Sequence, residues 1–576
     1  MNLINSLPVQ KVSVLHWTWS GPRESLVFEP ETMQHAILQL SRPVFAVEVE
    51  GQVGITHEGE IQPIIPSPSG RGQGEGSFPP PDIQNGKEKT LTLSSPTGRG
   101  NSLPALGLSW PVGLEQLGDP AFCRAHGARY AYSSGAMAQG ISSAEMVIAL
   151  GQAGLLGSFG AAGMAPARLE AMIQKIQAAL PAGPYAFNLI HSPHEEALER
   201  KAVELYLRYG VHTVEASAFL DLTPSIVWYR AAGLSQGPDG QIRIANRVIV
   251  KLSRTEVAQK FMQPAPATLL NELVQQGKIS SQQAALAQRV PLADDVTAEA
   301  DSGGHTDNRP LVCLVPTMLA LRDEIQAKYQ YAEPIRIGAA GGISTPSAAF
   351  AAFMMGAAYV VTGSVNQACV EAGASEHTRK LLAQAGLADV MMAPSADMFE
   401  MGVRVQVLKK GTLFPMRAQK LYELYSKYDS IEAIPADERE KIEKQIFRRG
   451  LAEIWQETVK FFQERDPEQI ERAGQNPKRK MALIFRWYLG LASKWSNSGE
   501  AGREMDYQIW CGPAIGPFND WTRGTYLAEY QNRRAVDVAL HLLTGAAYLW
   551  RLQSLKLQGL AIPSTWEQYR PDSRLV

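Results

Sequence analysis

Short apolar runs alternate with longer amphipathic stretches from about Ala128 onward. Tyr130–Gly135, Gly154–Gly160, Tyr185–Ile190, Val211–Ser217 and Arg247–Lys251 have the length and β-branched or aromatic content of buried strands. Between them, Ser143–Ala153, Pro166–Leu180, Pro193–Tyr209 and Pro224–Ala232 show helical spacing, with proline in three of the first turns, where its missing N–H costs nothing. After a stretch from Glu256 to Asp294 that is helical without a strand, strands resume at Val296–Glu299, Leu311–Val315, Ile335–Gly338 and Ala358–Thr362. Repeated strand–helix units predict the α/β class, as a (β/α)8 TIM barrel with a helical insertion at about 256–294. The barrel is expected over 107–417.

The flanks read differently. Pro43–Val49 and Gly51–Ile55 look like a hairpin inside a small β-rich segment, 1–60. Residues 61–106 are rich in proline, glycine and serine and bury too little apolar surface to offset the entropy of ordering. They are expected to be a disordered insert. From 418 to 576 the pattern is helical and rich in charged and aromatic residues, which predicts an additional, mainly helical C-terminal region.

Composition narrows the classes. With 45% hydrophobic and 19% charged residues over 576 positions, the chain can bury a large core. A formal charge of −2 gives no general attraction to nucleic acid. The four cysteines, at 123, 313, 369 and 511, form no close pair, which argues against a disulfide framework or a structural zinc site. No apolar run approaches the ~20 residues a spanning helix needs. A cytoplasmic protein without a membrane span is expected.

The strongest chemical signal lies in two glycine clusters one βα unit apart. Gly338-Ala-Ala-Gly341-Gly342-Ile ends one strand, and Val361-Thr-Gly363-Ser364 ends the next. Glycine lets the backbone approach a ligand and adopt positive φ, and free N–H groups ahead of a helix suit an anion. Loops after the last two strands of such barrels commonly grip phosphate. Neither cluster is a dinucleotide fingerprint or a P-loop.

Polar residues collect at the carboxyl ends of the strands: Asn188, Glu215, Lys251 and, in a glycine-preceded loop, His305. Imidazole can give or take a proton near neutral pH, so His305 is the candidate catalytic residue. Lys251 suits a phosphate or the electron-rich edge of a planar ring, with Glu215 its partner. Asn188 can donate and accept toward a ring system. Gly135 and Met137 end the first strand, where a turn of small residues can pass beneath a planar ring. His191 and His194 lack a third ligand, so no metal is expected. Cys511 reads as packed.

Glu-Ala-Asp-Ser-Gly-Gly-His-Thr-Asp-Asn-Arg-Pro at 299–310, Val250–Arg254, Pro264-Ala-Pro266 and the two glycine clusters resemble the flavin barrels related to nitronate monooxygenase, and within them the PfaD branch. That branch supplies the trans-acting enoyl reductase of polyunsaturated fatty acid and polyketide synthases. The resemblance implies one FMN, contacted by Gly135, Met137, Asn188, Lys251, Gly341, Gly342, Gly363 and Ser364, with His305 as the active-site histidine. It further implies NADPH (or NADH) as reductant, and an enoyl thioester on an acyl carrier protein as substrate. A homodimer is possible. The helical excursion at 256–294 is expected to roof an acyl groove, and Arg417, Lys420, Arg448 and Arg449 to form a basic patch at its mouth. Two other readings use the same residues: a nitronate monooxygenase, and a docking subunit without turnover.

Overall fold

The computed structural model describes residues 17–63, 102–191 and 196–575. Its centre is a closed barrel of eight parallel strands: Tyr132–Ser134, Leu156–Phe159, Ala186–Ile190, Thr213–Ser217, Arg247–Leu252, Asp295–Glu299, Arg336–Ala340 and Val360–Thr362. The eighth strand pairs with the first, Val360 opposite Tyr132, so no edge is left open. Almost every strand residue is buried, and polar ones such as Ser134, Asn188, Glu215 and Thr297 are buried among the apolar and small residues.

The amino ends of the strands carry structural charge. Arg336 donates to Asp295 from Nε at 2.6 Å and Nη2 at 2.9 Å, and His126 Nε2 lies 2.8 Å from the same carboxylate. Arg230 pairs with Asp294 at 2.7 Å beside them. Each buried charge thus has a partner, which is the condition for tolerating it there.

Leu311–Val315, expected as a strand, opens the helix Leu311–Tyr329. A five-residue apolar run has no periodicity of its own, and here packing against the sixth and seventh strands decides for helix. The excursion does contain three helices, Thr255–Met262, Ala267–Gln275 and Ser281–Ala287. The last two pack on the helix Pro224–Ala232, outside the barrel.

Two strands after the eighth, Val390–Pro394 and Arg404–Leu408, join Gly304–His305 from the loop after the sixth in a small antiparallel sheet ordered Gly304–His305, Arg404–Leu408, Val390–Pro394. Helices Phe414–Lys427, Leu451–Arg465 and Pro477–Ser498 follow. Their core, with Phe414, Leu421, Phe447, Phe485 and Tyr488 fully buried, is continuous with Val405 and Val407 of the sheet. The extra sheet was not anticipated.

The chain divides into two compact units, 114–546 with 569–576, just described, and 1–113 with 547–568. The second holds a five-stranded antiparallel sheet in the order Gln52–Thr56, Val44–Val49, Leu103–Ser109, Trp17–Ser20, Glu60–Pro63. The expected hairpin is present, Ala46 opposite Ile55. Leu103–Ser109 falls largely within the range expected to be irregular, yet it is the central strand. Pro104, Gly107 and a register shift opposite Ala46 and Val47 interrupt the alternation that would reveal it. Glu60–Pro63 also enters that range, and 64–101 lie outside the described residues.

Candidate active site

The carboxyl ends of the barrel strands open on a cavity of ≈ 310 Å³. All nine residues singled out in the sequence line it: Gly135, Met137, Asn188, Lys251, His305, Gly341, Gly342, Gly363 and Ser364. Parallel strands explain the convergence, because every carboxyl end of a barrel faces the same way.

Lys251 reaches from the fifth strand between two carboxylates, Glu215 at 3.2 Å and Glu299 at 3.4 Å. Burial alone would depress its pKa, but the two negative charges outweigh it and hold the group above the usual lysine range. Lys251 is therefore a fixed ammonium. Glu215 also accepts from the Ala136 N–H at 3.0 Å, which ties the turn at Gly135–Met137 to the lysine. Asn188 donates from Nδ2 to the Glu215 carbonyl at 3.0 Å and to Ser217 Oγ at 2.9 Å.

The 299–310 loop is fixed residue by residue. Asp301 accepts from Asn308 Nδ2 at 2.8 Å and from Gln406 Nε2 at 2.9 Å. Asp307 takes both arms of Arg254 at 2.9 Å and the Ser253 hydroxyl at 2.6 Å, and the Arg254 hydrogen bonds hold its carboxyl down at about 2. Gly303 packs on the Cys511 backbone, which a Cβ would meet at 3.0 Å. His305 pairs with Val405 across the small sheet. Its Nε2 lies 3.3 Å from Asp397 Oδ2 and 3.4 Å from Ser395 Oγ. Burial pulls the imidazole pKa down, but the Asp397 charge prevails and raises it.

The glycine clusters differ in detail. Gly341, at φ +85°, presses its backbone on Ala300, where a Cβ would come within 2.6 Å of the carbonyl carbon. At Gly342 (φ +78°) and Gly363 an added Cβ meets nothing within 4 Å. Their N–H groups find no acceptor among the described residues. The helix after Gly342 is Pro346–Met354, capped by Thr345, whereas a single turn, Ser364–Gln367, follows Gly363. Two buried polar atoms on the lining, Ser302 Oγ and Gln367 Nε2, also lack a partner. Open glycines, free N–H groups and orphaned polar atoms on the lining of one cavity fit a ligand with a phosphate and a polar ring.

The outer wall is not the expected one. No residue of the 256–294 excursion lines the cavity. Ser395–Asp397, Gly490, Ser493, Gln508, Trp510 and Gly512 do. Gly512 N–H donates to Ser364 Oγ at 2.9 Å, and Ser493 Oγ to Gln139 Oε1 at 3.2 Å, which joins this wall to the barrel. Cys511 is buried and its pKa is pushed up to about 12, as suits a packed thiol. None of the residues of the expected basic patch lines the cavity, and each is held in an ion pair: Arg417 and Arg448 with buried Asp506, Lys420 with Glu438, Arg449 with Glu453 and Glu457. His191 pairs with Glu199 at 2.8 Å, and His194 lies outside the described residues. Among the described residues no acid, histidine and cysteine cluster could hold a metal, and no helix is long and apolar enough to cross a membrane.

Residues 130–433 match the nitronate monooxygenase family and 19–70 the N-terminal domain of the fatty acid synthase subunit PfaD. The chain belongs to the nitronate monooxygenase family, in its PfaD branch. Residues 428–507 match the inserted helical domain of [acyl-carrier-protein] S-malonyltransferase. The solved enoyl reductase domain of MlnA, from the macrolactin cluster of Bacillus amyloliquefaciens, superposes with a TM-score of 0.74 at 37% identity. That match covers 77% of this chain and all of the domain. A polyunsaturated fatty acid synthase subunit of Thraustochytrium is 54% identical over 455 residues, 77% of this chain and 30% of that protein. Polyketide biosynthesis protein PksE of Bacillus subtilis is 46% identical over 447 residues, 77% of this chain and 58% of PksE. The chain thus spans only part of these curated relatives. It is an enoyl-reductase-like barrel related to subunits of fatty acid and polyketide synthases.

Glu299, Asp397, Ser302, Gln367 and the 490–512 wall were not singled out from the sequence. Glu299 and Ser302 alone had a signal, since both lie in the motif that contains His305.

Proposed function

We propose that this chain is an FMN-dependent enoyl reductase that uses NADPH (or NADH) to reduce an enoyl thioester held on a separate acyl carrier protein, in polyunsaturated fatty acid or polyketide synthesis. The observation that carries this reading is the match, over the neighbour's entire length, to an enoyl reductase domain. When bound, FMN supplies a two-electron carrier between the nicotinamide and the β-carbon of the thioester.

The chain's own residues have separable tasks. The N–H groups of Gly342 and Gly363 bind phosphate. The Gly135–Met137 turn and Asn188 would hold the ring, and Gly341 and Ser364 would shape the wall around the phosphate. Lys251 sets a positive charge where a reduced, electron-rich ring gains from it. The 490–512 wall excludes water, which strengthens each of these interactions. His305 faces the substrate.

The test is anaerobic. Reduced holoprotein mixed with a crotonyl-type thioester on carrier protein is expected to reoxidise, read by recovery of the yellow absorbance. Aerobic oxidation of a nitronate with no enoyl turnover would overturn the reading in favour of nitronate oxygenation. Failure to take up any flavin on reconstitution would favour a docking subunit. His305→Ala is expected to keep its flavin and to lose roughly 100-fold or more in enoyl reduction, the usual scale for removing a general acid.

A further inference from the structure

His305 does not stand alone. It sits on the two-residue strand Gly304–His305, held antiparallel to Arg404–Leu408. The other long strand of that sheet, Val390–Pro394, leads straight into Ser395-Ala396-Asp397. Asp397 Oδ2 lies 3.3 Å from His305 Nε2. The Asp397 carboxylate is braced in turn, because Oδ1 accepts from the Ser395 hydroxyl and from the Met398 N–H. Ser395 Oγ is also 3.4 Å from His305 Nε2. His305 Nδ1 has no hydrogen-bond partner among the described residues, and Ser395, Asp397 and His305 all line the cavity.

We propose that Asp397, braced by Ser395, is the positioning residue that turns His305 Nε2 into the protein and so leaves Nδ1–H as the proton donor to the substrate's α-carbon. This rests on the reductase reading above and deepens it. The donor role follows from the charges around the ring. Asp397 and, from the sixth strand, Glu299 favour the cation. Lys251 from the fifth strand opposes it, and Val405 across the sheet is apolar. The balance raises the imidazole pKa and keeps Asp397 well below the usual aspartate range. A histidine held this way is charged over more of the neutral range, which suits an acid and disfavours a base.

The atoms balance. A nicotinamide-derived hydride adds its hydrogen and electron pair to the β-carbon and breaks the carbon–carbon π bond. The displaced pair spreads over the α-carbon and thioester oxygen. The α-carbon then takes the proton from Nδ1, the N–H pair stays on nitrogen, and the neutral imidazole keeps Nε2–H on Asp397. Solvent returns the proton. The nicotinamide is oxidised and the thioester gains two hydrogens.

The test titrates His305 by NMR in protein carrying labelled histidine, without substrate, with His305→Gln to assign the signal. Wild type is expected to titrate above the ordinary ~6.5. Asp397→Asn should shift the midpoint down by about one pH unit or more, the usual effect of removing an adjacent opposite charge. Asp397→Glu should restore most of the shift, and Ser395→Ala should lose part of it. In enoyl reduction, the alkaline limb of kcat for Asp397→Asn should move down equally, giving roughly tenfold lower kcat at pH above it. KM and bound flavin should stay within about twofold. A wild-type midpoint at or below the ordinary value, or one unmoved in Asp397→Asn, overturns the proposal. Should Asp397→Asn fail to fold, the Ser395→Ala titration decides: a midpoint below wild type supports the proposal and one unmoved overturns it. A shifted titration without enoyl turnover supports the Asp397–His305 pair and overturns only the reductase reading.

Discussion

Two glycines at the cavity carry different burdens, and substitution should separate them. Gly363 has φ −133°, and a Cβ there meets nothing within 4 Å. Gly363→Ala is expected to change stability by no more than about 0.5 kcal/mol while lowering flavin content, because the methyl occupies the space a phosphate would need. Gly341→Ala combines φ +85° with a 2.6 Å approach to the Ala300 carbonyl carbon. It should cost about 2 kcal/mol or more, the sum of strained backbone and a clash that only backbone movement relieves. Urea midpoints with flavin absorbance measure both. Equal destabilisation by the two variants would remove the distinction. His305, Lys251 and both glycine clusters stood out in the sequence because their chemistry is carried by residue type and spacing. Asp397 did not, since a carboxylate in a loop has no signature until its partner is known, and Glu299 was visible only as the first residue of the His305 motif.

At the scale of elements, one side chain closes a whole turn of chain. Arg551, fully buried in the helix Ala535–Leu557, donates to five carbonyls, those of Ile37, Gln39, Leu40, Arg42 and Trp110, at 2.8–3.1 Å. No carboxylate pairs with it among the described residues, and burial brings its pKa down to about 10. Arg551→Met should destabilise the 1–113 unit by about 3 kcal/mol, since carbonyls left without donors lose charge-assisted bonds and stay partly desolvated. Arg551→Lys should recover only part, because an ammonium cannot span the same fan. Hydrogen exchange at 37–42 is the direct readout, and unchanged protection would refute the capping role. The sequence could not reveal this contact, which joins positions more than 400 residues apart. Leu311–Val315 shows the same limit locally, since packing made its apolar run a helix rather than a strand.

Over the whole molecule, acid and truncation probe what the fold keeps buried. Burial would raise the Asp294 and Asp295 pKa values, but Arg230, Arg247, Arg336 and His126 more than reverse it, so both lie below the ordinary range. Groups of this kind contribute fully above the unfolded value of ~4 and lose that contribution as pH falls toward their folded values. The urea midpoint is therefore expected to fall between about pH 5 and pH 3, below neutral-pH stability. Asp295→Asn should flatten part of that slope while lowering stability by about 3 kcal/mol at pH 7, because Arg336 is left buried with one neutral partner. A chain ending at 433 keeps all eight barrel strands but lacks Gly490, Ser493, Trp510 and Gly512 of the cavity wall. It should bind flavin at least tenfold more weakly, the scale of losing a water-excluding wall, and equal affinity would show that the barrel alone makes the site.

What the sequence determined by itself was whatever depends on local order: alternating strand and helix periods, glycines at strand ends, and a polar motif whose twelve residues fold back on one another. A parallel barrel then forces all strand ends to one face, so strand positions alone imply which residues meet. Tertiary structure decided the rest. The small sheet that sets Asp397 against His305, the wall from 490–512, the central strand at Leu103–Ser109 and the ion pairs that occupy Arg417 and Arg448 all join segments far apart in the chain. Their energies come from burial and charge pairing across that distance, and no window of sequence contains both partners.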